Sequence, residues 1–213
     1  MELPQLSSEE IRVLGALIEK SVVTPDYYPL TLNSLTTACN QRSSRNPVVD
    51  YDEETVVLAL NSLKAMSLAA TAVGGGSRAT KYKHNFLTVY PMSEGELAVL
   101  CLLFLRGPQT MGELKSNAGR LHEFHSLDAV KEALQKLSSS EMPFVKELPK
   151  RSGQKEERYM HTFIHFNEED FVTETPEPAR RHVSDLEARV EALETELAEV
   201  KSKLDQLYRE LNG

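Results

Sequence analysis

The chain has 213 residues, enough for one or two globular domains. Its 40% of hydrophobic and 26% of charged residues are typical of a soluble globular protein. No apolar run approaches the roughly 20 residues that span a bilayer, and the first residues lack the basic-then-apolar plan of a secretory signal. We therefore expect a cytoplasmic protein without a membrane segment. Cys39 and Cys101 fit no metal or redox spacing and are predicted to be buried thiols.

The acidic charge is concentrated at the C-terminal end. The formal charge of the chain is −8, and residues 168–213 hold six basic and thirteen acidic residues, which is −7. The first 167 residues therefore hold 18 basic and 19 acidic residues, or −1. A nearly neutral body can still carry a cationic face, because a polyanion responds to the local field rather than to the net charge.

A pattern of three helices and a β-hairpin occurs twice. The first copy has "LSSEEIRVLGALIEK", capped by Ser7 or Ser8, then "LTLNSLTTACN" and "DEETVVLALNSLKAM". The second copy has "MSEGELAVLCLLFLRG", capped by Ser93, then "QTMGELKSNAG" and "SLDAVKEALQKLSSS". Each copy closes with strand, tip and strand, in "LAATAVGGGSRATKYKHNF" and "PFVKELPKRSGQKEERYMHTF". Both hairpins end in Tyr-x-His-x-Phe, which marks an internal repeat.

Three helices followed by a hairpin are the plan of a winged helix-turn-helix. We predict a mainly α fold with small β-hairpins (α+β), made of two tandem winged helix-turn-helix domains and a C-terminal coiled-coil helix. The predicted boundaries are 1–88 for the first domain, 89–172 for the second, 173–182 for a proline-containing linker and 183–213 for the helix.

The C-terminal segment has an apolar heptad repeat of about four heptads, beginning at Val183, which favours a coiled coil. Flanking charges suit a parallel dimer, in which Arg189 would face Glu194 of a second chain. The alternative is that this helix folds back on its own domains. The predicted dimerisation residues are Leu186, Val190, Leu193, Leu197, Val200, Leu204, Leu207 and Leu211.

The stretch "TPDYYPLTLNSLTTACNQRSSRNPV", residues 24–48, resembles the YceH-like family of uncharacterised bacterial proteins. "GGGSRATKYKH" at 74–84 and "GRLHEF" at 119–124 are also similar to that family. The resemblance covers residues 6 to about 165 and implies tandem winged helices. It implies no catalytic residue and leaves the activity open.

Cationic and hydrogen-bonding residues lie on the elements that a duplex would meet. In a winged helix the third helix enters the major groove and the hairpin touches the flanking backbone. "NQRSSRN" leads into the third helix, and its Arg, Ser, Asn and Gln side chains are typical phosphate donors. We predict phosphate contacts from Arg42, Arg45, Arg78, Lys81, Lys83, Lys150, Arg151 and Lys155. Asn40, Gln41, Ser43 and Ser44 are predicted to position the backbone or touch base edges, with Lys64 as a further contact on the third helix.

Two alternatives stay open at this point. Basic hairpin tips are often only solvated, and residues 40–46 can cap helices and fill turns. Asp52, Glu53 and Glu54 start the predicted third helix, where base-contacting side chains usually lie. The sequence therefore favours double-stranded DNA binding that is backbone-dominated, of a regulatory or nucleoid-associated kind. The alternative is a protein-docking module without DNA binding.

Other motifs do not predict chemistry. His122 and His125 are three residues apart, whereas the zinc motif of metalloproteases places its histidines four apart. The glycines at 74–76 lack the Gly-Lys-Ser/Thr of a phosphate-binding loop and suit a hairpin tip. His84 and His161 occupy equivalent hairpin positions and are predicted to pack beneath the hairpins. We predict no enzyme, no metal and no cofactor.

Overall fold

The computed structural model describes residues 3–72, 79–139, 141–150 and 156–164, all within one unit, Met1–Phe166. The predicted mixture of α-helices with small antiparallel sheets is confirmed for these residues. The C-terminal linker and helix, with every predicted dimerisation residue, lie outside them. No helix in the described ranges is long and apolar enough to cross a membrane.

The three-helix order occurs in both copies. The helices of the first copy, residues 6–86, are α1 (Ser8–Val23), α2 (Leu32–Cys39) and α3 (Glu53–Ala65). A short helix, α4 (Phe86–Val89), leads to the second copy, residues 92–163. Its helices are α5 (Glu94–Arg106), α6 (Met111–Ala118) and α7 (Leu127–Ser139).

Helix starts follow from local capping chemistry. Ser7 caps α1 and forms a capping box with Glu10, and Ser93 does the same for α5 with Glu96. The hydroxyl of Thr31 and the carboxylate of Asp52 accept backbone N–H bonds at the starts of α2 and α3. The predicted caps Ser7 and Ser93 are confirmed.

The hairpins of the two copies have corresponding registers. The first copy forms a three-stranded antiparallel sheet in the order β1-β3-β2, where β1 is Leu30–Thr31, β2 is Ala69–Ala72 and β3 is Lys81–His84. The second copy pairs β4 (Val145–Leu148) with β5 (Arg158–His161). Leu30 of β1 pairs with Tyr82, and Gln109 forms a single bridge to the equivalent Tyr159.

A continuous hydrophobic core joins the copies. Helices α1 and α5 approach closely at Gly15, whose carbonyl lies 3.5 Å from Cys101 Sγ. Phe86 and Phe163, the last aromatics of the two hairpins, are fully buried with ring centroids 5.8 Å apart. The predicted boundary at 88/89 falls inside α4, and the division into two domains stays a prediction.

The predicted buried thiols and packed histidines are confirmed. Cys39 and Cys101 are free and buried. His161 is buried edge-on against Phe104, with ring centroids 4.9 Å apart. His84 is half-buried, and its Nε2 lies 3.0 Å from the Ser21 hydroxyl on α1.

Candidate nucleic-acid interface

The segment Asn40–Val48, which we call the junction loop, connects α2 towards α3 and lies against both copies. The predicted contact between Arg45 of this loop and a DNA phosphate needs correction. The Arg45 side chain has no exposed surface, and its Nη1 and Nη2 donate to the two carboxylate oxygens of Glu19 at 3.1 and 2.7 Å. It also donates to the carbonyl of Ala38. Arg45 therefore cannot reach a phosphate in this structure, because its charge and donors are used inside the protein.

Asn40 and Gln41 have structural roles, in line with the alternative that residues 40–46 fill turns. The Asn40 side chain donates to the carbonyl of Tyr51 at 2.7 Å and accepts from its N–H at 2.9 Å, so it closes the loop on itself. The Gln41 Oε1 accepts from Lys20 and Arg45 at 3.3 and 3.1 Å. These bonds show that both side-chain amides bind groups of the protein itself and hold the loop in place.

The partners of the junction loop lie on α1. Arg12 is 4% exposed and donates to the carbonyls of Cys39 and Pro47 at 3.1 and 2.6 Å. Burial would raise the pKa of Glu19, but its hydrogen bonds and charge pairing with Arg45 outweigh burial, and the pKa is lowered. A signal for this buried network was present: α1 is buried over residues 11–19, so its charged residues need internal partners.

The junction loop also binds the second copy. The Asn46 N–H donates to the carbonyl of Leu105 at 2.9 Å, at the end of α5. Arg106 Nη2 donates to the Ser44 hydroxyl at 3.0 Å. Ser44 has a left-handed backbone, with φ of 59°. Ser44, which was predicted to position the DNA backbone or touch base edges, therefore lies at the junction between the copies.

Three members of the predicted set are exposed in this loop, namely Arg42, Ser43 and Ser44, and of these Ser44 is held by Arg106. Arg42 forms no ion pair with any residue that the structure describes. The side chains of Arg42 and Ser43 extend from a loop that is fixed at both ends, since Asn40 holds one end and Asn46 the other.

The first hairpin presents lysines on the side opposite the core. Tyr82 packs against the core and His84 faces α1, so the alternation of a strand places Lys81 and Lys83 on the other side. Their cross-strand neighbours carry no charge: Thr31 and Ala72 flank Lys81, and Ala70 flanks Lys83. We call these five residues the outer sheet face. Within the described residues, neither lysine has an ion-pair partner.

The third helix of the first copy presents a mixed surface. Lys64 lies near the C-terminal end of α3 and is exposed, as the predicted DNA contact requires. Leu58, in the middle of α3, is 64% exposed. Glu53 and Glu54 are exposed in its first turn. This helix therefore offers a phosphate one cation and several repulsive carboxylates.

Two basic residues of the second hairpin, Lys150 and Arg158, are paired with acids. Lys150 Nζ lies 2.9 Å from Glu157, and both side chains are partly exposed. Arg158 donates to both oxygens of Glu113 at 3.0 and 3.1 Å. The other predicted contacts of the two hairpins, Arg78, Arg151 and Lys155, lie outside the described residues.

The described residues contain no cluster of three or more His, Cys, Asp and Glu side chains that could hold a metal ion. Of the two histidines considered above, His122 packs against Phe124 with ring centroids 4.7 Å apart, and His125 is exposed.

The chain matches one family model and several bacterial proteins over most of its length. Residues 6–154 match the family model described as "Protein of unknown function, DUF480". A UPF0502 protein from Solibacter usitatus is 45% identical over 207 residues, which cover 96% of this chain and 97% of the relative. A UPF0502 protein from Shewanella halifaxensis is 42% identical over 212 residues, with 95% and 98% covered. One from Klebsiella pneumoniae is 42% identical over 212 residues, with 97% and 98% covered.

Proposed function

The chain belongs to the DUF480 family, in agreement with its resemblance to YceH-like proteins, and we propose that it binds double-stranded DNA through two tandem winged helices. The order of three helices and a hairpin in each copy supports the winged-helix assignment. So does the bridge between the segment before the second helix and the last strand, which occurs at Leu30 in one copy and Gln109 in the other.

The outer sheet face is the observation that carries this proposal. Lys81 and Lys83 are two residues apart on a central strand, with only uncharged cross-strand neighbours. A winged helix places its hairpin along the DNA backbone, where lysines bind phosphates. Lysines without an acidic partner among the described residues can release counterions from the duplex when they bind its phosphates.

Binding of this kind is dominated by the DNA backbone. Arg42 and Ser43 add donors from the junction loop, and Lys64 adds one from α3. The carboxylates in the first turn of α3 oppose deep entry into the groove, because they repel phosphates. The protein therefore binds many duplexes with similar affinity, and the first copy makes the stronger contribution.

Salt titration of the full-length protein against two unrelated duplexes tests this function. Backbone binding predicts a steep linear fall of the logarithm of the affinity with the logarithm of the salt concentration, with nearly the same slope for both duplexes. Failure to bind either duplex at low salt would reject DNA binding.

Protein docking is the second candidate, and Leu58 on α3 favours it. A largely exposed leucine on a helix that begins with acids suits a protein surface better than a phosphate backbone. If the protein docks another protein through Leu58, Leu58→Lys abolishes capture of that partner and leaves the affinity for a duplex unchanged. Under DNA binding the same substitution adds a cation and strengthens the affinity for a duplex at low salt.

Dimerisation through residues 183–213 extends the proposal. The heptad pattern supports it, and two chains would place four DNA-binding modules on one duplex and raise their effective concentration. Truncation after Pro178 should convert a dimer into a monomer in sedimentation experiments. An unchanged oligomeric state after truncation would exclude the C-terminal helix as the dimer interface.

A further inference from the structure

The last turn of α5 holds a cation with few partners. Arg106 is half-buried, and its Nη2 donates to the Ser44 hydroxyl at 3.0 Å. Its Nε is buried and has no hydrogen-bond partner among the described residues. A guanidinium has five N–H donors, and the bond to Ser44 uses one of them among the residues that the structure describes.

The first copy shows how a cation at this position is normally satisfied. The capping serines Ser7 and Ser93 align α1 with α5, so that Lys20 corresponds to Arg106 and Glu19 to Leu105. Lys20 Nζ lies 3.2 Å from Glu19. Leucine replaces the carboxylate in the second copy, and Arg106 therefore lacks the acidic neighbour that its counterpart has.

The surroundings of Arg106 have a surplus of positive charge. The network at the junction contains Lys20 and Arg45, which share the Glu19 carboxylate, and Arg12, which donates to backbone carbonyls. Burial and then the charge of Arg45 lower the pKa of Arg106, against the opposite influence of Glu19 and Glu113. Both of these carboxylates are already bound by other arginines, so neither compensates Arg106 fully.

The junction loop supplies the remaining features of an anion site. Ser44 is exposed and in contact with Arg106, and its left-handed backbone is uncommon for a residue other than glycine. Arg42, two residues earlier in the same loop, is exposed. Arginine and serine are among the side chains that bind phosphate oxygens in proteins.

We propose that Arg106 and Ser44, with Arg42 from the same loop, form a binding site for a phosphate group at the junction of the two copies. The phosphate is either part of the DNA backbone, in which case the inference rests on the proposed function, or a free phosphate anion. In both cases the bound group neutralises the charge surplus that the protein leaves at this point.

The first arm of the test uses inorganic phosphate and the full-length protein. The unfolding temperature is compared in phosphate and in chloride at equal pH and ionic strength. At ten times the dissociation constant, site binding raises it by about 3–6 °C. Phosphate also stabilises proteins without a site, by exclusion from their surfaces. The specific part of the rise should be absent in Arg106→Gln and present in the control Arg120→Gln, which removes an exposed arginine elsewhere in the second copy.

Arg106→Lys extends this comparison. It keeps the charge and loses the planar fork of the guanidinium, so it should retain part of the phosphate response. It also provides the measurement if Arg106→Gln does not fold. A response that is the same in wild type, Arg106→Gln and Arg106→Lys would overturn the site.

The second arm measures duplex binding by the same variants. If the ligand is a DNA phosphate, Arg106→Gln makes the salt slope shallower by about one. A lost phosphate response with an unchanged slope supports the site with free phosphate as its ligand. A wild-type protein that binds no duplex but responds to phosphate rejects the proposed function and keeps the site. Duplex binding with both readouts unchanged in Arg106→Gln keeps the function and rejects the site.

Discussion

In the first copy Lys81 and Lys83 face away from the core, whereas the equivalent positions of the second copy hold Arg158, bound to Glu113, and the buried Met160. The shared Tyr-x-His-x-Phe pattern fixes this alignment. Both hairpins therefore use the same residues to attach to their helices and differ on the opposite side. The two copies share the scaffold, and among the described strand residues the pair of outward-facing lysines occurs in the first copy.

The segments after the second helix differ in a related way. Thirteen residues connect α2 to α3 in the first copy, and eight residues connect α6 to α7 in the second. The longer segment contains Arg45, which meets Glu19 inside the protein. At the α5 position equivalent to Glu19 the second copy has Leu105, an apolar side chain that is buried in the core. The first copy has thus placed charge where the second has apolar packing.

Removing Arg45 should give the largest effect on stability. Arg45→Met leaves the Glu19 carboxylate buried without its main partner, and loss of one member of a buried pair costs about 3–5 kcal/mol. Chemical denaturation of the full-length protein measures this change in the free energy of unfolding.

The double variant Arg45→Met with Glu19→Leu provides the control, because it gives the first copy the leucine of the second. It should recover much of the lost stability, since apolar replacement of a whole buried pair is often neutral. A loss below about 1 kcal/mol in Arg45→Met would contradict the buried network.

The two equivalent histidines should make the protein sensitive to acid. Burial lowers the pKa of His161 to about 3 and that of His84 to about 4, below the ordinary value of 6.5. The unfolded chain therefore binds protons that the folded chain does not. The contribution of the two neutral histidines to the free energy of unfolding is fully present above pH 6.5. It falls as the pH drops towards the folded pKa values, by at most about 1.4 kcal/mol per pH unit for each histidine.

His161→Phe tests the more buried histidine, because it keeps a ring against Phe104 and removes the titrating group. The free energy of unfolding should then depend less steeply on pH between 6.5 and 4. His125→Gln changes an exposed histidine and should leave the wild-type curve. Identical curves for wild type and His161→Phe would show that this histidine does not resist protonation.

The contact between the copies predicts a smaller effect. A Cβ added at Gly15 would lie 2.9 Å from Leu105 Cδ2 and 3.1 Å from Phe104 Cβ, so the Leu105 side chain or helix α5 would have to shift. Gly15→Ala should cost about 1–3 kcal/mol in the free energy of unfolding.

Gly112→Ala on α6 is the matched helical control, since its new Cβ would meet no atom closer than 3.8 Å. It should be neutral or stabilising, because alanine restricts the unfolded chain. Equal effects of the two substitutions would contradict a close approach of α1 and α5 at Gly15.

Local patterns predicted the parts of the fold that depend on neighbouring residues. Ser7 and Ser93 cap their helices because each needs only the next three residues to do so. The two hairpin motifs were likewise recognised from alternation along a few residues. These features repeat in the chain, so each copy supports the interpretation of the other.

The role of the junction loop could not be predicted in the same way. Arg45 and Glu19 are 26 residues apart, and Arg12 contacts Pro47 across 35 residues. A loop rich in arginine, serine and amides has the same composition whether it binds a phosphate or closes a core. The usable signal was in α1, where Arg12 and Glu19 are the charged residues of the otherwise apolar run from residue 11 to residue 19.

The most direct test of the proposed interface compares salt slopes for duplex binding in three full-length proteins. Lys81→Gln with Lys83→Gln removes the lysines of the outer sheet face, and Lys131→Gln with Lys136→Gln removes two exposed lysines of α7. Both variants change the net charge by the same amount. The first should make the slope shallower by roughly two, one for each phosphate contact. The second should change the slope less, because α7 belongs to the copy with the weaker contribution and its Lys136 is already paired with Glu132. Equal slopes in all three proteins, or equal losses in both variants, would contradict DNA binding by the first hairpin.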